Sequence, residues 1–204
     1  MLRWLAEMTF KRFFDILVST LGLLVVLPFF PFIALAIILD SRGPVFFYQE
    51  RAGRHGKPFK VIKFRSMVVD AEKKLGDLID TDSLNEPVFK IRHDPRITRV
   101  GKILRRWSID EIPQFINIFR GEMSLVGPRP EEIWLVNRYD GTQRQRLAVK
   151  PGLTGPMQIA GRGELDFSTR LKLELEYIQD YSFKRDLEIV LKSIPAVITG
   201  KGAF

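Results

Sequence analysis

Asp110 and Glu111 are adjacent carboxylates in the run Arg105-Arg106-Trp107-Ser108-Ile109-Asp110-Glu111-Ile112-Pro113-Gln114. Two arginines stand just before them, and a third, Arg129, is held between prolines in Gly127-Pro128-Arg129-Pro130. Carboxylates can attack an electrophile or hold a hard cation, and guanidiniums grip anions through paired donors. Together these groups suit chemistry on a phosphate. Alone, acidic residues at a helix start are ordinary caps, so the rest of the chain must decide.

The elements that position these groups can be read locally. Ile112, Phe115, Ile116 and Phe119 recur at i, i+3, i+4 and i+7, which predicts an amphipathic helix with Gly121 as its stop. Ser108 and Glu111 have capping-box spacing, but a start at Ser108 places Pro113 past the first turn and costs a backbone hydrogen bond. Asp110 as N-cap keeps Pro113 among amides without helical partners and is the preferred start. Either start sets both carboxylates at the positive end of the helix dipole. Upstream, Val45–Gln49 and Phe59–Phe64 read as strands around a basic turn, Arg51–Pro58. Val69–Ile79 reads as a polar helix, Val88–Arg92 as a strand and Ile103–Trp107 as a short helix. Downstream, Pro151–Gly163 reads as a glycine-rich loop, and helices follow over about Phe167–Asp180 and Lys184–Ile198. The last helix carries Leu187, Val190, Leu191, Ile194 and Ile198 on one face. That face could pack on the core, lie in a membrane surface beside Lys184, Arg185, Lys192 and Lys201, or serve a homodimer. The fold class is α+β, mainly helical with a small antiparallel strand element.

A formal charge of +8 implies an anionic partner: nucleic acid, an anionic bilayer or a phosphorylated substrate. No nucleic-acid motif is present, and aromatic residues are not interleaved with the basic ones as a stacking platform requires. The chain has no cysteine, which excludes disulfides, thiolate nucleophiles and cysteine-held metal. Its two histidines, His55 and His93, argue against a histidine-rich metal site, so any metal would be a hard cation on carboxylates, such as Mg²⁺. Ile16 to Leu39 is an uncharged run long enough to reach across a hydrocarbon core. Pro28 and Pro31 interrupt it, and basic residues flank both ends: Lys11 and Arg12 before, Arg42, Arg51 and Arg54 after. The positive-inside tendency keeps both flanks on the cytoplasmic side. A helix broken at Pro28 that enters and leaves by one face satisfies both facts, and a kinked spanning helix is the alternative. Residues 1–15, with Trp4, Leu5, Met8 and Phe10, form an interfacial lead-in. By hydropathy the chain divides into an anchor, 1–40, and a domain of soluble character, 41–204.

Several long motifs stand in a fixed order: Lys63-Phe64-Arg65-Ser66-Met67, Asp94-Pro95-Arg96-Ile97-Thr98, Ser108-Ile109-Asp110-Glu111-Ile112-Pro113-Gln114, Ser124-Leu125-Val126-Gly127-Pro128-Arg129-Pro130 and Pro151-Gly152-Leu153-Thr154-Gly155. In these the chain closely resembles the monotopic polyprenyl-phosphate phosphoglycosyl transferases, the bacterial sugar transferase family, in their minimal catalytic form. The resemblance implies an enzyme that moves a phosphosugar from a UDP-sugar to undecaprenyl phosphate. UMP is released, in the first membrane step of glycoconjugate or exopolysaccharide assembly, at the cytoplasmic face of the bacterial inner membrane. It implies Mg²⁺, a two-step covalent mechanism and a re-entrant helix in the phospholipid bilayer, broken at Pro28, where many relatives have a serine in place of Leu27. Asp110 matches the family nucleophile and Glu111 the second acid, as metal ligand or as a base orienting the lipid phosphate; the metal would fall to this pair. Lys63, Arg65, Arg105, Arg129, Arg162 and Glu174 match substrate-binding positions, although relatives more often carry Asp at the place of Glu174. Lys11, Arg12 and Asp15 match a headgroup-level anchor. A glycosyl transferase moving only the sugar would release UDP instead of UMP, and a basic membrane-bound binding module would release neither.

Overall fold

The computed structural model describes residues 2–74, 94–161 and 165–199, with side chains from residue 7 onward. The strand expected over Val88–Arg92, the end of the helix expected over Val69–Ile79, and Arg162, His93 and Lys201 lie outside the described residues. Over Val69–Lys74 the chain forms turns, not helix.

Helix α1 spans Leu2–Val26. A single 3₁₀ turn, Leu27–Phe29, follows, and α2 spans Phe30–Asp40. Pro28 and Pro31 each fall in the first turn of their segment, where a missing amide forfeits no helical hydrogen bond. The hydroxyls of Ser19 and Thr20 donate to the Ile16 carbonyl within α1 and so do not serve the break. Glu7–Asp40 as a unit is long and apolar enough to cross a membrane, with mean hydropathy 2.7 over its most apolar window. Leu24, Val25, Leu27, Phe29, Phe32, Leu35 and Leu39 are exposed along it.

Strands β1 (Phe46–Ala52) and β2 (Pro58–Phe64) form an antiparallel hairpin in register from Phe46↔Phe64 to Ala52↔Pro58. Thus β1 runs past Gln49 into residues expected to turn, because the reversal needs only the segment at Gly53–Lys57, where His55 takes a left-handed conformation (φ 58°). Helix α3 (Arg99–Arg106) begins at Thr98, whose hydroxyl accepts the Gly101 amide at 3.0 Å. After a 3₁₀ turn at Ile109–Glu111, α4 runs over Gln114–Arg120 and ends at Gly121 (φ 83°). Then follow β3 (Ser124–Val126), α5 (Ile133–Asn137), α6 (Gly141–Arg144), β4 (Gly152–Thr154), α7 (Pro156–Ala160), α8 (Phe167–Gln179) and α9 (Phe183–Thr199).

The expected loop at Pro151–Gly155 is instead strand β4, paired parallel with β3. Glycine makes this possible: a Cβ on Gly152 would lie 2.1 Å from the Gly127 nitrogen, and one on Gly155 2.1 Å from the Gly127 oxygen. Two glycine-bearing motifs, 28 residues apart from Ser124 to Gly152 in their pairing, thus close on each other backbone to backbone.

The main core gathers Phe59, Val61, Ile118, Met123, Leu125, Val126, Tyr177 and Ile189, with Phe14 and Val18 of α1 packed against it. A second cluster joins Ile37 of α2 to Phe64 and Leu104. The anchor is therefore part of the core, and the hydropathy division at residue 40 does not coincide with a break in packing. Polar ties reinforce this. Lys11 donates to the Asp186 carboxylate at 2.6 Å and the Val126 carbonyl at 2.9 Å. Arg12 donates to the carbonyls of Ile118 and Phe119, both at 2.7 Å, in the last turn of α4. Asp15 accepts from the Leu125 amide at 2.8 Å and the Ser124 hydroxyl at 3.1 Å. The expectation that these three residues meet lipid headgroups is revised accordingly: they bolt α1 to the domain. At the other end, Asp40 accepts the Val100 amide at 2.7 Å.

The apolar stripe of α9 is split. Ile189 is buried on the core, whereas Leu187, Leu191, Ile194 and Ile198 are exposed.

Arg65, expected to contact substrate, is also bonded into the frame. It is 5% exposed, and its guanidinium donates to the Pro44 carbonyl at 2.6 Å, to the Ser41 hydroxyl at 2.7 Å and to the Ser41 carbonyl. It closes the segment that leads from α2 into β1. Arg65→Met should destabilise the protein by about 2–4 kcal/mol, since charged hydrogen bonds to buried carbonyls are lost together; thermal unfolding in detergent beside wild type measures this.

Candidate active site

The two carboxylates are delivered by a sharp reversal. Ser108, one of two non-glycine residues at positive φ among the described residues, adopts 54° and turns the chain from α3 into the 3₁₀ turn that holds Asp110 and Glu111. Neither Asp110 nor Ser108 caps α4. Pro113 occupies its N-cap position, with no side-chain hydrogen bond, and the carboxylates stand one tight turn earlier. The turn is self-sufficient because the Ile112 amide bonds the Ile109 carbonyl at 3.1 Å and Pro113 brings no amide to satisfy.

The face of α4 also differs from the periodic reading. Gln114, Asn117 and Ile118 are buried, while Phe119 is half exposed. Phe115 turns toward α1, where a Cβ at Gly22 would come within 2.6 Å of its ring. Asn117 explains the rotation. Its Oδ1 accepts the Ile62 amide at 3.0 Å, and its Nδ2 donates to the Lys60 carbonyl and to Glu122, each at 2.7 Å. A completely buried amide with these partners fixes α4 on β2 beside Lys63.

Lys63 Nζ then lies 3.1 Å from Glu111 Oε1, and Arg129 Nη1 lies 3.9 Å from the same oxygen. Asp110 is 6% exposed. Burial and the neighbouring Glu111 push its carboxyl above the usual range, while Lys63, Arg105 and Arg129 pull it down. Lys63 is itself lowered by burial, against the attraction of Glu111.

Arg129 is held by its backbone, leaving the side chain for the site. Its amide donates to Glu174 Oε1 at 3.0 Å, and its carbonyl accepts from Arg146 at 3.2 Å. Arg146 and Glu174 form an ion pair of 2.6 Å with side chains 3% and 0% exposed, and Arg146 also donates to the Tyr139 hydroxyl at 2.6 Å. Glu174, expected at the substrate, is thus a buried brace for the Pro-Arg-Pro segment. Arg146 has no sequence signal: it lies in a short 3₁₀ turn at Gln145–Ala148 and meets Glu174 only through the tertiary fold.

A cavity of about 880 Å³ joins these groups. Lys63, Arg105, Asp110, Glu111 and Arg129 line one part, with Gln49, Arg51, Glu132 and Arg170 beside them. Val18 of α1, Phe115 of α4, Leu153 of β4 and Val190, Ile194 and Val197 of α9 supply apolar lining. Arg106, by contrast, is exposed. Of the expected site residues, Asp110, Glu111, Lys63, Arg65, Arg105 and Arg129 line this cavity, Arg65 while also bonded to the segment before β1, and Glu174 lies behind Arg129 as the acceptor of its amide. Among the described residues no cluster of three or more His, Asp or Glu could hold a metal, so the adjacent carboxylates supply two ligands at most. That donor set fits Mg²⁺, which is commonly held by one or two carboxylates and otherwise by water and substrate phosphates.

The model of the bacterial sugar transferase family matches residues 6–200. The galactosyl transferase CpsE of Streptococcus agalactiae serotype III (strain NEM316) is 44% identical over 194 residues, covering 95% of this chain and 43% of that protein. The exopolysaccharide production protein ExoY of Rhizobium meliloti (strain 1021) is 40% identical over 198 residues, covering 95% and 88%. The UDP-glucose:undecaprenyl-phosphate glucose-1-phosphate transferase of Escherichia coli (strain K12) is 43% identical over 203 residues, covering 95% and 41%. The chain therefore spans about two fifths of the first and third relatives and most of the second.

Removing one partner of the buried Arg146–Glu174 pair should be costly. Arg146→Met leaves a carboxylate uncompensated in the core and should lower stability by about 3–5 kcal/mol. Adding Glu174→Leu should restore much of that loss. Denaturant unfolding of both variants reads the difference.

Proposed function

The chain belongs to the bacterial sugar transferase family, and we propose that it transfers a phosphosugar from a UDP-sugar to a polyprenyl phosphate such as undecaprenyl phosphate, releasing UMP. The observation that carries this reading is the buried Asp110, set beside Glu111, Lys63 and Arg129 in a cavity that is also lined by apolar residues, Val18 of α1 among them. Donor and acceptor, which react in turn, each join a charged part to an apolar one, a diphosphate to a flat base on the one and a headgroup to a hydrocarbon tail on the other, and such a two-character site suits both. The activity of the Escherichia coli relative, named as a UDP-glucose:undecaprenyl-phosphate glucose-1-phosphate transferase, supports the same class of substrate pair.

In this mechanism an Asp110 oxygen attacks the phosphorus that bears the sugar. The new Asp110–phosphorus bond forms as the bond to the UMP oxygen breaks, giving an aspartyl-phosphosugar. A phosphate oxygen of the lipid then attacks the same phosphorus, and the Asp110 carboxylate leaves. Splitting the displacement lets donor and acceptor react in turn with a fixed residue rather than with each other. Both attacks bring anion to anion, and Lys63, Arg105 and Arg129 offset the repulsion. A lipid phosphate monoester loses its second proton at about pH 6 and needs no strong base, so Glu111 is read as a metal ligand beside Asp110. When bound, Mg²⁺ would polarise the diphosphate and stabilise the departing UMP.

The anchor is read as re-entrant at the cytoplasmic face of the bacterial inner membrane. Lys11 is bonded to Asp186 and Asp40 to the Val100 amide, so both ends of the apolar segment are attached to one domain. Exposed apolar residues near the break and along α9 would face lipid, and the excess of basic residues would favour anionic headgroups.

Asp110→Asn should lower UMP release at least about 10³-fold while leaving membrane association intact, and a labelled donor should leave its phosphosugar on Asp110 in wild type. Release of UDP, or an adduct on another residue, would overturn the mechanism. The absence of native cysteine makes topology directly testable: Phe10→Cys and Arg42→Cys should both react with an impermeant maleimide from the cytoplasmic side. Labelling from opposite sides would establish a spanning helix.

A further inference from the structure

Gln158, on α7, lines the same cavity as Asp110 and Arg129. Both its amide nitrogen and its amide oxygen are buried, and neither has a hydrogen-bond partner among the described residues. The nearby hydroxyls are engaged elsewhere: Thr154 and Ser193 share a 2.5 Å hydrogen bond, and Ser193 donates to the Ile189 carbonyl at 2.7 Å. A fully unpaired buried amide is costly, and folded proteins rarely carry one without a use. The amide lies close to the phosphate-facing segment. A Cβ on Gly155 would be 3.1 Å from Gln158 Oε1 and 2.1 Å from the oxygen of Gly127, two residues before Arg129.

The surroundings narrow the ligand. Leu153, Met157, Val190 and Ile194 make the adjoining wall apolar. A hydrocarbon chain would leave the amide unpaired. A sugar ring carries hydroxyls around its edge, and this apolar wall would leave most of them unpaired. A flat ring with apolar faces and an adjacent donor and acceptor on one edge satisfies both the wall and the amide. We infer that Gln158 recognises the imide edge of the uracil of the donor nucleotide, its oxygen accepting from the ring N–H and its nitrogen donating to the neighbouring carbonyl.

This inference rests on the proposed function, and equilibrium binding to the full chain in detergent separates the two. UMP, ribose 5-phosphate and N-acetylglucosamine 1-phosphate are titrated into wild type, Gln158→Leu and Gln158→Glu. Wild type should prefer UMP to ribose 5-phosphate. Both variants should bind UMP about tenfold or more weakly, as expected for a lost bidentate contact, with ribose 5-phosphate unchanged. Should Gln158→Leu fail to fold, Gln158→Glu, which keeps the size and the polarity, carries the comparison. Unchanged UMP affinity in the variants, an equal loss for UMP and ribose 5-phosphate, or a loss confined to the acetamido sugar would overturn the assignment alone. A wild type without affinity for UMP would instead remove the functional reading, and this inference with it.

Discussion

The site hangs on the side chain of Asn117. Its amide is completely buried and bonds two backbone groups of β2, the Lys60 carbonyl and the Ile62 amide, one residue to either side of Val61. That pairing sets the rotation of α4 and its distance from the hairpin. It thereby brings Lys63 within reach of Glu111. A buried amide tolerates few registers, because sliding by one residue would strand its donors and acceptors. Hydrophobic contacts between α4 and the hairpin would permit many neighbouring arrangements, and the amide selects among them.

A second layer of buried polarity sets Arg129. Glu174 and Arg146 take the amide and carbonyl of that residue, while the Gly127–Gly152 contact holds the preceding segment against β4. The three backbone supports come from α8, from the turn at Gln145–Ala148 and from β4. The guanidinium therefore projects from a frame that does not need substrate to organise it. Such preorganisation matters most for groups that face developing charge, since reorientation during reaction would cost part of the benefit.

The hairpin, the α3 and α4 region and the two C-terminal helices were legible in the sequence because periodicity and turn residues are local. The carboxylate pair, Lys63 and Arg129 were legible because their motifs are dense and ordered. What escaped is of another kind. Asn117 and Arg146 find their partners across long stretches of chain, and nothing near them in sequence marks them. The start of α4 was misplaced because a left-handed serine, an uncommon conformation for that residue, launched a tighter turn where a conventional cap was expected. Arg65 and Glu174 were matched to substrate-binding positions, and their bonds to the frame, Arg65 to the Pro44 carbonyl and Glu174 to Arg146, were not announced by any motif: a charged residue within a motif can be held there by the frame as well as by a ligand. The parallel pairing of β3 with β4 was hidden because each strand is only 3 residues long.

The way the first 40 residues are built in has a consequence for handling the protein. Cutting them away to obtain a soluble fragment would remove Phe14, Val18 and Ile37 from two apolar clusters. It would also strip Asp186 of its Lys11 counter-charge, the Leu125 amide of its Asp15 acceptor and the last carbonyls of α4 of their Arg12 donors. The remainder would be a cored shell rather than a trimmed enzyme. The anchor and the globular core thus share one packing unit, and excising the first would be felt throughout the second.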